Sequence, residues 1–282
     1  MLRKKRIKRN GKRANASDLV CQGDELSFYF SEETYQAFRG LKKAVPILDP
    51  SSAKPLLAMV GDPLFSNDTL LVLNKPAGWL TQPDSSGKPS VSDAIRQVIP
   101  SAGTFHPAPA NRLDVGTSGI ILVPKTYPAQ REILAAIRER HVIKDYLALV
   151  EGEVRHSGHL KDHLVKNDMA NKMESNTQGS LAELDYKPIA HSHGTTLLSV
   201  RLHTGRSHQI RVQLAQAGLP IVGDYKYGNP TLNRKFTRDF NLDHPLLHSQ
   251  HYAIADLKID VTAPIPDDFR NILTALEYRV HY

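Results

Sequence analysis

The sequence predicts an α+β fold built on a mixed or antiparallel sheet. Apolar runs of strand length are interspersed with amphipathic helical stretches along most of the chain. No regular strand–helix–strand repeat accompanies them, which disfavours a parallel α/β sheet. With 282 residues, the chain is long enough for one large domain and a small appendage.

The N-terminal segment is strongly basic and then β-rich. Residues 1–13 contain eight Lys and Arg and no acidic residue, so this arm accounts for the net charge of +7 and the remaining chain is almost neutral. Such an arm binds phosphates through counterion release; a disordered solubilising tail is the alternative. Residues 10–12 (Asn-Gly-Lys), followed by residues 23–28, predict a turn, a short loop and a strand, that is, a small β-rich unit ending near Phe30.

Residues 46–55 are rich in Pro, Ser and Ala, which predicts a linker or the entry to a second domain. We therefore divide the chain into an N-terminal appendage, residues 1–55, and a main domain, residues 56–282. The first half of the main domain predicts strands over 70–73 and 120–123. It also predicts a helix from the cap Ser90 to Pro100 and a helix over 128–140. The residues expected to face inward on these helices are Val91, Ala94, Ile95, Val98, Ile133, Leu134 and Ile137.

The second half of the main domain predicts strands over 146–150 and 196–203, the latter with alternating apolar and polar residues. A helix over 207–217 ends at Gly218, and a last helix begins at Asp267. The residues expected to face inward on these helices are Ile210, Leu214, Phe269, Ile272, Leu273 and Leu276.

One long stretch lacks acidic residues. Residues 186–223 contain no Asp or Glu over 38 positions, but include Lys187, Arg201, Arg206 and Arg211 together with four histidines. Such a surface would face phosphates or a buried carboxylate. A solvated face produced by chance is the alternative.

Asp114 is a candidate nucleophile. A carboxylate that attacks a substrate in a desolvated pocket needs a cation to stay ionised. Asp114 lies in a loop rich in Gly, Ser and Thr, just before a buried strand, where a side chain is held rigidly. On these residues alone, a turn-forming role for Asp114 is the alternative.

Over about residues 65–282 the sequence resembles RluA-type pseudouridine synthases, whose signature is Arg-Leu-Asp followed by Thr-Ser-Gly. The family usually has His where this chain has Asn111, a position expected to concern RNA contact rather than bond breaking. The blocks that carry the resemblance, in the family's order, are LNKPAG (73–78), NRLDVGTSG (111–119), KDYLALVEG (144–152), TGRSHQIRV (204–212), PIVGD (220–224) and, more weakly, LLHS (246–249).

The resemblance implies the pseudouridine synthase fold, with a central mixed, mostly antiparallel sheet flanked by helices. It also implies an isomerase that acts on specific uridines in structured RNA. In that family's pattern Asp114 is the nucleophile, Tyr146 stacks on the flipped uracil and is a candidate for removing the proton from its carbon 5, and Arg211 pairs with Asp114. The substrate-binding residues that it implies are Arg112, Arg206, His208 and Leu247.

We expect neither a metal nor a nucleotide cofactor, because this isomerisation requires no redox change or external energy. The sequence contains no phosphate loop, dinucleotide fingerprint or Cys/His zinc cluster, and the histidine pairs 159/163 and 191/193 are the weak basis for a metal hypothesis. The single cysteine, Cys21, and the lack of a membrane-length apolar run predict a cytoplasmic protein. We expect a monomer whose partner is RNA.

The RNA substrate has two alternatives, ribosomal RNA and transfer RNA, and the basic arm favours large-subunit ribosomal RNA. A non-catalytic RNA-binding or ribosome-assembly protein that retains the fold is the other class. The presence of Asp114, Tyr146 and Arg211 together favours an enzyme. The appendage is similar to the last part of the RNA-binding module named after ribosomal protein S-four, without its two leading helices, and we interpret it as a degenerate RNA-binding unit.

Overall fold

A computed structural model describes residues 7–15, 18–29, 31, 50–100, 105–167 and 172–279 of the chain. The chain divides into two compact units, residues 1–47 and residues 48–282. Helix α1 (Pro50–Gly61) begins inside the stretch predicted to be a linker or a domain entry; the linker alternative is wrong from residue 50 onward, and the second unit begins in this stretch. The helix forms because Leu56, Met59 and Val60 share one face and are buried in the core. Residues 46–49 lie outside the described residues.

The described part of the first unit contains a small antiparallel sheet. Its strands are β1 (Ile7–Arg9), β2 (Lys12–Arg13) and β3 (Leu26–Phe28), in the order β2–β1–β3. Asn10 and Gly11 have positive φ angles of 49° and 74°, as a two-residue hairpin requires, which confirms the predicted turn.

The second unit is built on a large sheet, which confirms the predicted α+β fold. The described strands follow the order β4–β5–β6–β12–β7–β11–β10–β8–β9, and β13 also pairs with β12. These pairs are antiparallel apart from β6 and β12, which run parallel. The strands are β4 (Phe65–Ser66), β5 (Leu70–Lys75), β6 (Ser118–Pro124), β7 (Ile143–Glu151), β8 (Gly158–Asn167), β9 (Lys172–Ser175), β10 (Ser180–Ser192), β11 (Thr195–Leu202), β12 (Leu247–Ile254) and β13 (Ile259–Thr262).

Helices cover both faces of this sheet. Within the described ranges, none of them has the length and apolarity needed to cross a membrane. The helices that follow α1 are α2 (Val91–Val98), α3 (Tyr127–Glu139), α4 (Gln209–Gln216), α5 (Pro230–Phe240) and α6 (Asp267–Ala275). Strands β4, β8 to β10, β12 and β13 and helix α5 were not predicted. Strand β8, for example, has a largely polar sequence without a strong apolar alternation.

Two of the predicted inward residues are exposed. Ser90 and Asp93 form a capping box that starts α2 where predicted, but Val98 at the end of that helix is 46% exposed. In α3, Ile133 is buried and Leu134 is 43% exposed. Adjacent residues on a helix point about 100° apart, so the neighbour of a buried residue readily lies on the solvent side.

The sheet separates two apolar layers. On one face, Tyr146, Ala148 and Val200 pack with Ile210 and Leu214 of α4. On the other face, Leu147, Leu149 and Leu197 pack with α5 and α6. Because successive residues of a strand point to opposite faces, Tyr146 lies on the α4 side.

The parallel pair β6–β12 positions the candidate site. Every residue of β6 is buried, and His248 and Ser249 of β12 lie opposite Ser118 and Gly119. Gly119 has a φ of 114°, and a β-carbon there would collide with the backbone of Ser249, so this approach requires glycine. Nδ1 of His248 is 2.9 Å from Oγ of Ser118, and burial lowers the pKa of His248 to about 4, so the ring is neutral. The starts of the two parallel strands therefore lie side by side, with the Asp114 loop before one and Leu246 before the other.

Candidate active site

Asp114 lies in a loop whose backbone is fixed on both sides. Oγ1 of Thr81 donates to the carbonyl of Leu113 at 2.8 Å and accepts from its amide at 3.1 Å. On the other side, the ammonium of Lys75 donates to the carbonyl of Val115 at 3.1 Å. The side chain of Asp114 is 25% exposed. The loop therefore presents a partly open carboxylate from a fixed backbone.

Lys75 is a buried cation beneath this loop. Its side chain is fully buried, and Nζ donates to the carbonyls of Pro76 and Trp79, both at 2.9 Å, as well as to Val115. Burial lowers the pKa of Lys75 to about 7, and the Asp114 carboxylate opposes that shift. Lys75 thus ties the turn after β5 to the Asp114 loop.

Arg211 of α4 bridges two carboxylates. Nε and Nη2 bind the two oxygens of Asp224 at 2.7 and 2.8 Å, and Nη1 donates to Oδ2 of Asp114 at 3.1 Å. Asp224 is fully buried; burial alone would raise the pKa of Asp224, but the bonds from Arg211 outweigh it and hold the pKa below its usual value. Asp224 therefore orients the guanidinium, whose remaining amino group faces Asp114. The Arg211–Asp114 contact is the one that the family resemblance implied.

Tyr146 forms an apolar wall with two leucines. Its side chain is buried on β7, in the same apolar cluster as Leu113 and Leu247. Burial raises the pKa of Tyr146 to about 12, and the nearby carboxylate of Asp114 adds to the shift. The phenol is therefore protonated at neutral pH.

His208 lies at the start of α4, on the open side of Asp114. Its φ is 52°, in the left-handed region, and its Nε2 is 4.0 Å from Oδ2 of Asp114. Nδ1 is 2.9 Å from the hydroxyl of Tyr227, which also accepts a hydrogen bond from the amide of Met173 at 2.9 Å. Burial lowers the pKa of His208; the carboxylate of Asp114 opposes that shift, and the neighbouring cation of Arg211 adds to it.

The other predicted substrate-binding arginines lie at the surface. Arg112 is exposed and, among the described residues, has no carboxylate within 4.0 Å. Arg206 is exposed, and its Nε donates to the carbonyl of Leu181 at 3.0 Å. The structure gives Asn111 a different role from the expected RNA contact. Its side chain hydrogen-bonds to the backbone of Ile120 and Leu122 in β6 at 2.9 and 2.8 Å. Position 111 therefore holds the loop against the sheet.

The stretch without acidic residues faces carboxylates supplied by other elements. Arg211 binds Asp224 and Asp114, and Arg201 binds Asp145 of β7 in bidentate fashion at 2.8 and 2.9 Å. The sequence offered two functional interpretations of this stretch: it faces phosphates, or it faces a buried carboxylate. The buried carboxylate applies to Arg211, whereas the guanidinium of Arg206 remains available to anions.

Two of the histidines contact the same aspartate. His159 lies 2.7 Å from Asp185, which also binds His203 at 2.6 Å. Within the described ranges, no group of three or more His, Cys, Asp or Glu is arranged to hold a metal ion.

Comparison with known proteins identifies the family. The family model for RNA pseudouridylate synthase matches residues 69–216, more than half of the chain. The chain belongs to this family. It is therefore a pseudouridine synthase, an enzyme of the isomerase class.

Curated relatives and a solved structure agree with that assignment. The chain is 30% identical over 282 residues to a ribosomal large subunit pseudouridine synthase C of Vibrio vulnificus, covering 98% of this chain and 86% of the relative. It is 34% identical over 221 residues to the protein of the same name of Pasteurella multocida, covering 76% and 67%. The structure of human RNA pseudouridylate synthase domain containing 4 has the same fold, with a TM-score of 0.68 at 19% identity, covering 80% of this chain and 97% of the human one.

Three residues of this site were missed as functional candidates. Asp224 and Lys75 lie inside the motif blocks of this pseudouridine synthase, and Tyr227 follows shortly after. Asp224 is the first acid after the acid-free stretch, which is the signal that could have paired it with Arg211. The burial of Lys75 and the position of Tyr227 depend on tertiary structure and have no local signal.

Proposed function

We propose that this pseudouridine synthase isomerises uridines of large-subunit ribosomal RNA with Asp114 as its nucleophile. The observation that carries the proposal is the three-group chain Asp224–Arg211–Asp114, in which one carboxylate is fully buried and the other is 25% exposed. Arg211 orients the Asp114 carboxylate, and the exposed fraction of that side chain leaves room for a substrate.

The reaction breaks the bond between C1′ of the ribose and N1 of uracil, turns the base and forms a bond from C1′ to C5. The proton on C5 is lost, and N1 gains one, so no electrons are exchanged with another molecule. An ionised carboxylate serves this sequence by attacking the sugar carbon, by attacking the ring, or by removing a ribose proton to give a glycal. Each route requires Asp114 to be anionic beside the glycosidic bond.

Tyr146 and Leu247 contribute an apolar wall for the uracil. A phenol with a pKa of about 12 is a poor base at neutral pH, so we assign Tyr146 to packing against the base rather than to proton removal. The target uridine must first leave its stack, which costs a few kcal/mol and favours loops and single strands. The apolar wall supplies a new stacking surface that offsets part of that cost.

The ribosomal substrate is supported by two observations. The relatives named above are called ribosomal large subunit pseudouridine synthases. The arm over 1–13, with eight cations and no acid, suits a large and dense phosphate surface. On this basis we propose that the N-terminal unit, residues 1–47, is an RNA-binding appendage.

The nucleophile is tested by Asp114→Asn, which keeps the shape of the side chain and removes its charge. The substrate is unmodified large-subunit ribosomal RNA labelled with tritium at C5 of uridine, and the readout is release of tritium to water. We expect release to fall by at least about 1,000-fold while RNA affinity stays within about twofold, because the lost group acts in bond breaking. The matched control, Asp62→Asn, changes an exposed carboxyl outside the site. Residual release above about one tenth of the wild-type rate would refute the assignment.

The substrate is tested separately by mapping pseudouridine in total RNA from cells with and without this protein. A site lost from large-subunit ribosomal RNA is the expected result. A loss confined to transfer RNA would contradict the substrate and leave the enzyme class intact.

A further inference from the structure

A groove lined by Tyr227 lies next to the residues that surround Asp114. It has a volume of about 430 Å³ and runs between β9, α4 and the turn at 226–228. Residues that line it include Lys172, Met173, Val212, Gln216, Lys226 and Tyr227.

Tyr227 lines this groove and also contacts residues that approach Asp114. Its hydroxyl binds the amide of Met173 in β9 and Nδ1 of His208, both at 2.9 Å. The guanidinium carbon of Arg211 lies 5.2 Å from the centre of the Tyr227 ring. Since His208 and Arg211 both approach Asp114, Tyr227 connects the groove to the surroundings of the candidate nucleophile.

The groove contains two lysines without carboxylate partners. Nζ of Lys172 and Nζ of Lys226 lie 5.7 and 5.8 Å from the centre of the Tyr227 ring. Across the described residues, neither Nζ has a carboxylate oxygen within 4.0 Å, whereas Arg211 has two such carboxylates. The acidic residue of the groove, Glu174, accepts a hydrogen bond from Asn167 at 3.0 Å.

Three cations around one ring repel one another, and an anion would relieve that repulsion. Burial lowers the pKa of Lys226, and the cations of Arg211 and Lys172 add to that shift, whereas the carboxylates of Asp114 and Asp224 oppose it. Asp224 and Asp114 hydrogen-bond to Arg211 and, like Glu174, do not contact either lysine within 4.0 Å in the described part of the chain. The two ammonium groups of the groove are therefore available to an anion.

We propose that this groove binds the backbone phosphate of the RNA strand that continues from the uridine held at Asp114. The proposal rests on the proposed function, since it requires a polynucleotide substrate. A nucleotide turned out of its stack remains joined to its neighbours, so the strand must leave the site along an adjacent surface. Lys172 and Lys226 provide point charges for a phosphate there.

The test compares Lys172→Gln, Lys226→Gln and their double variant in the full-length protein, with unmodified large-subunit ribosomal RNA as the probe. Affinity is measured over a range of salt concentrations. Each lysine that no longer binds a phosphate should reduce the slope of log affinity against log salt by about 0.7 on a single strand, and the double variant should reduce it by about twice as much. Lys54→Gln, at an exposed lysine of α1 that does not line the groove, is the matched control. Arg at both positions should preserve the slope, because it keeps the charges.

The proposal is overturned if the double variant has the same slope and affinity as Lys54→Gln, or if the double Arg variant reduces the slope as much as the double Gln variant does. Tritium release by the wild-type protein is measured alongside. If the lysine variants reduce the slope of log affinity against log salt as expected but the wild-type protein releases no tritium, the proposed function alone is refuted. Normal tritium release together with unchanged slopes in the double Gln variant would refute the groove alone.

Discussion

Lys75→Met should change how stability depends on pH. The substitution keeps a long, flexible side chain but removes the charge and the three bonds from Nζ to the carbonyls of Pro76, Trp79 and Val115. Since burial lowers the pKa of Lys75 from 10.5 to about 7, the unfolded chain binds more protons than the folded one between these pH values. Burial of this amine therefore destabilises the wild type most below pH 7, and the penalty falls as the pH rises toward 10.5.

The size of the effect follows from that interval. Within it, each pH unit changes the free energy of unfolding by about 1.4 kcal/mol, but the change between pH 7 and pH 8 is smaller because Lys75 is half-titrated near pH 7 in the folded protein. The free energy of unfolding of the wild type should therefore rise by about 2 kcal/mol relative to that of Lys75→Met between pH 7 and pH 9. The assay is urea unfolding of both proteins at pH 7, 8 and 9, analysed as the difference in free energy of unfolding. Groups that titrate in both proteins cancel in this difference. Parallel pH profiles, or a difference that shrinks as pH rises, would refute the reasoning.

Two further predictions concern the Arg211 network. Asp224→Asn should lower the free energy of unfolding by about 3 kcal/mol, because it leaves a mostly buried guanidinium without its bidentate partner. Urea unfolding measures this loss against that of the exposed control Asp243→Asn. Equal losses of stability in the two variants would contradict the prediction. Arg211→Lys should reduce tritium release about 100-fold, because one ammonium cannot bind both Asp224 and Asp114; release within about threefold of the wild type would show that the fork is dispensable.

Local signals in the sequence predicted much of the fold. The turn at Asn10 and Gly11, the cap at Ser90 and the apolar strand β6 are each specified by a few adjacent residues, and the structure contains all three. The predicted inward orientations of Val98 and Leu134 were wrong, because the orientation of a helical residue depends on which elements cover each face of the helix. Helix α1 was missed because its prolines and serines resemble a linker, whereas Leu56 forms part of the core.

The candidate site could be predicted in part. Motif resemblance identified Asp114, Tyr146 and Arg211, and the structure brings them to one face of the sheet. Asp224 and Lys75 lie inside the same motifs, but their importance comes from complete burial beside a charge, which local sequence does not encode. The appendage assignment and the functional roles of all the predicted site residues stay predictions.

The parallel pairing of β6 with β12 has a consequence for the order in which the protein becomes active during synthesis. Ser118 and His248 are 130 positions apart, and Asp114 and Arg211 are 97 positions apart. A ribosome releases β6 long before β12, so the nascent chain presents the unpaired backbone edge of a wholly apolar strand, the kind of edge that joins other chains. The contact between Asp114 and the guanidinium of Arg211 also cannot form until α4 has emerged from the ribosome. Activity therefore arises late in translation, and a ribosome that stalls before β12 would produce an inactive, aggregation-prone fragment.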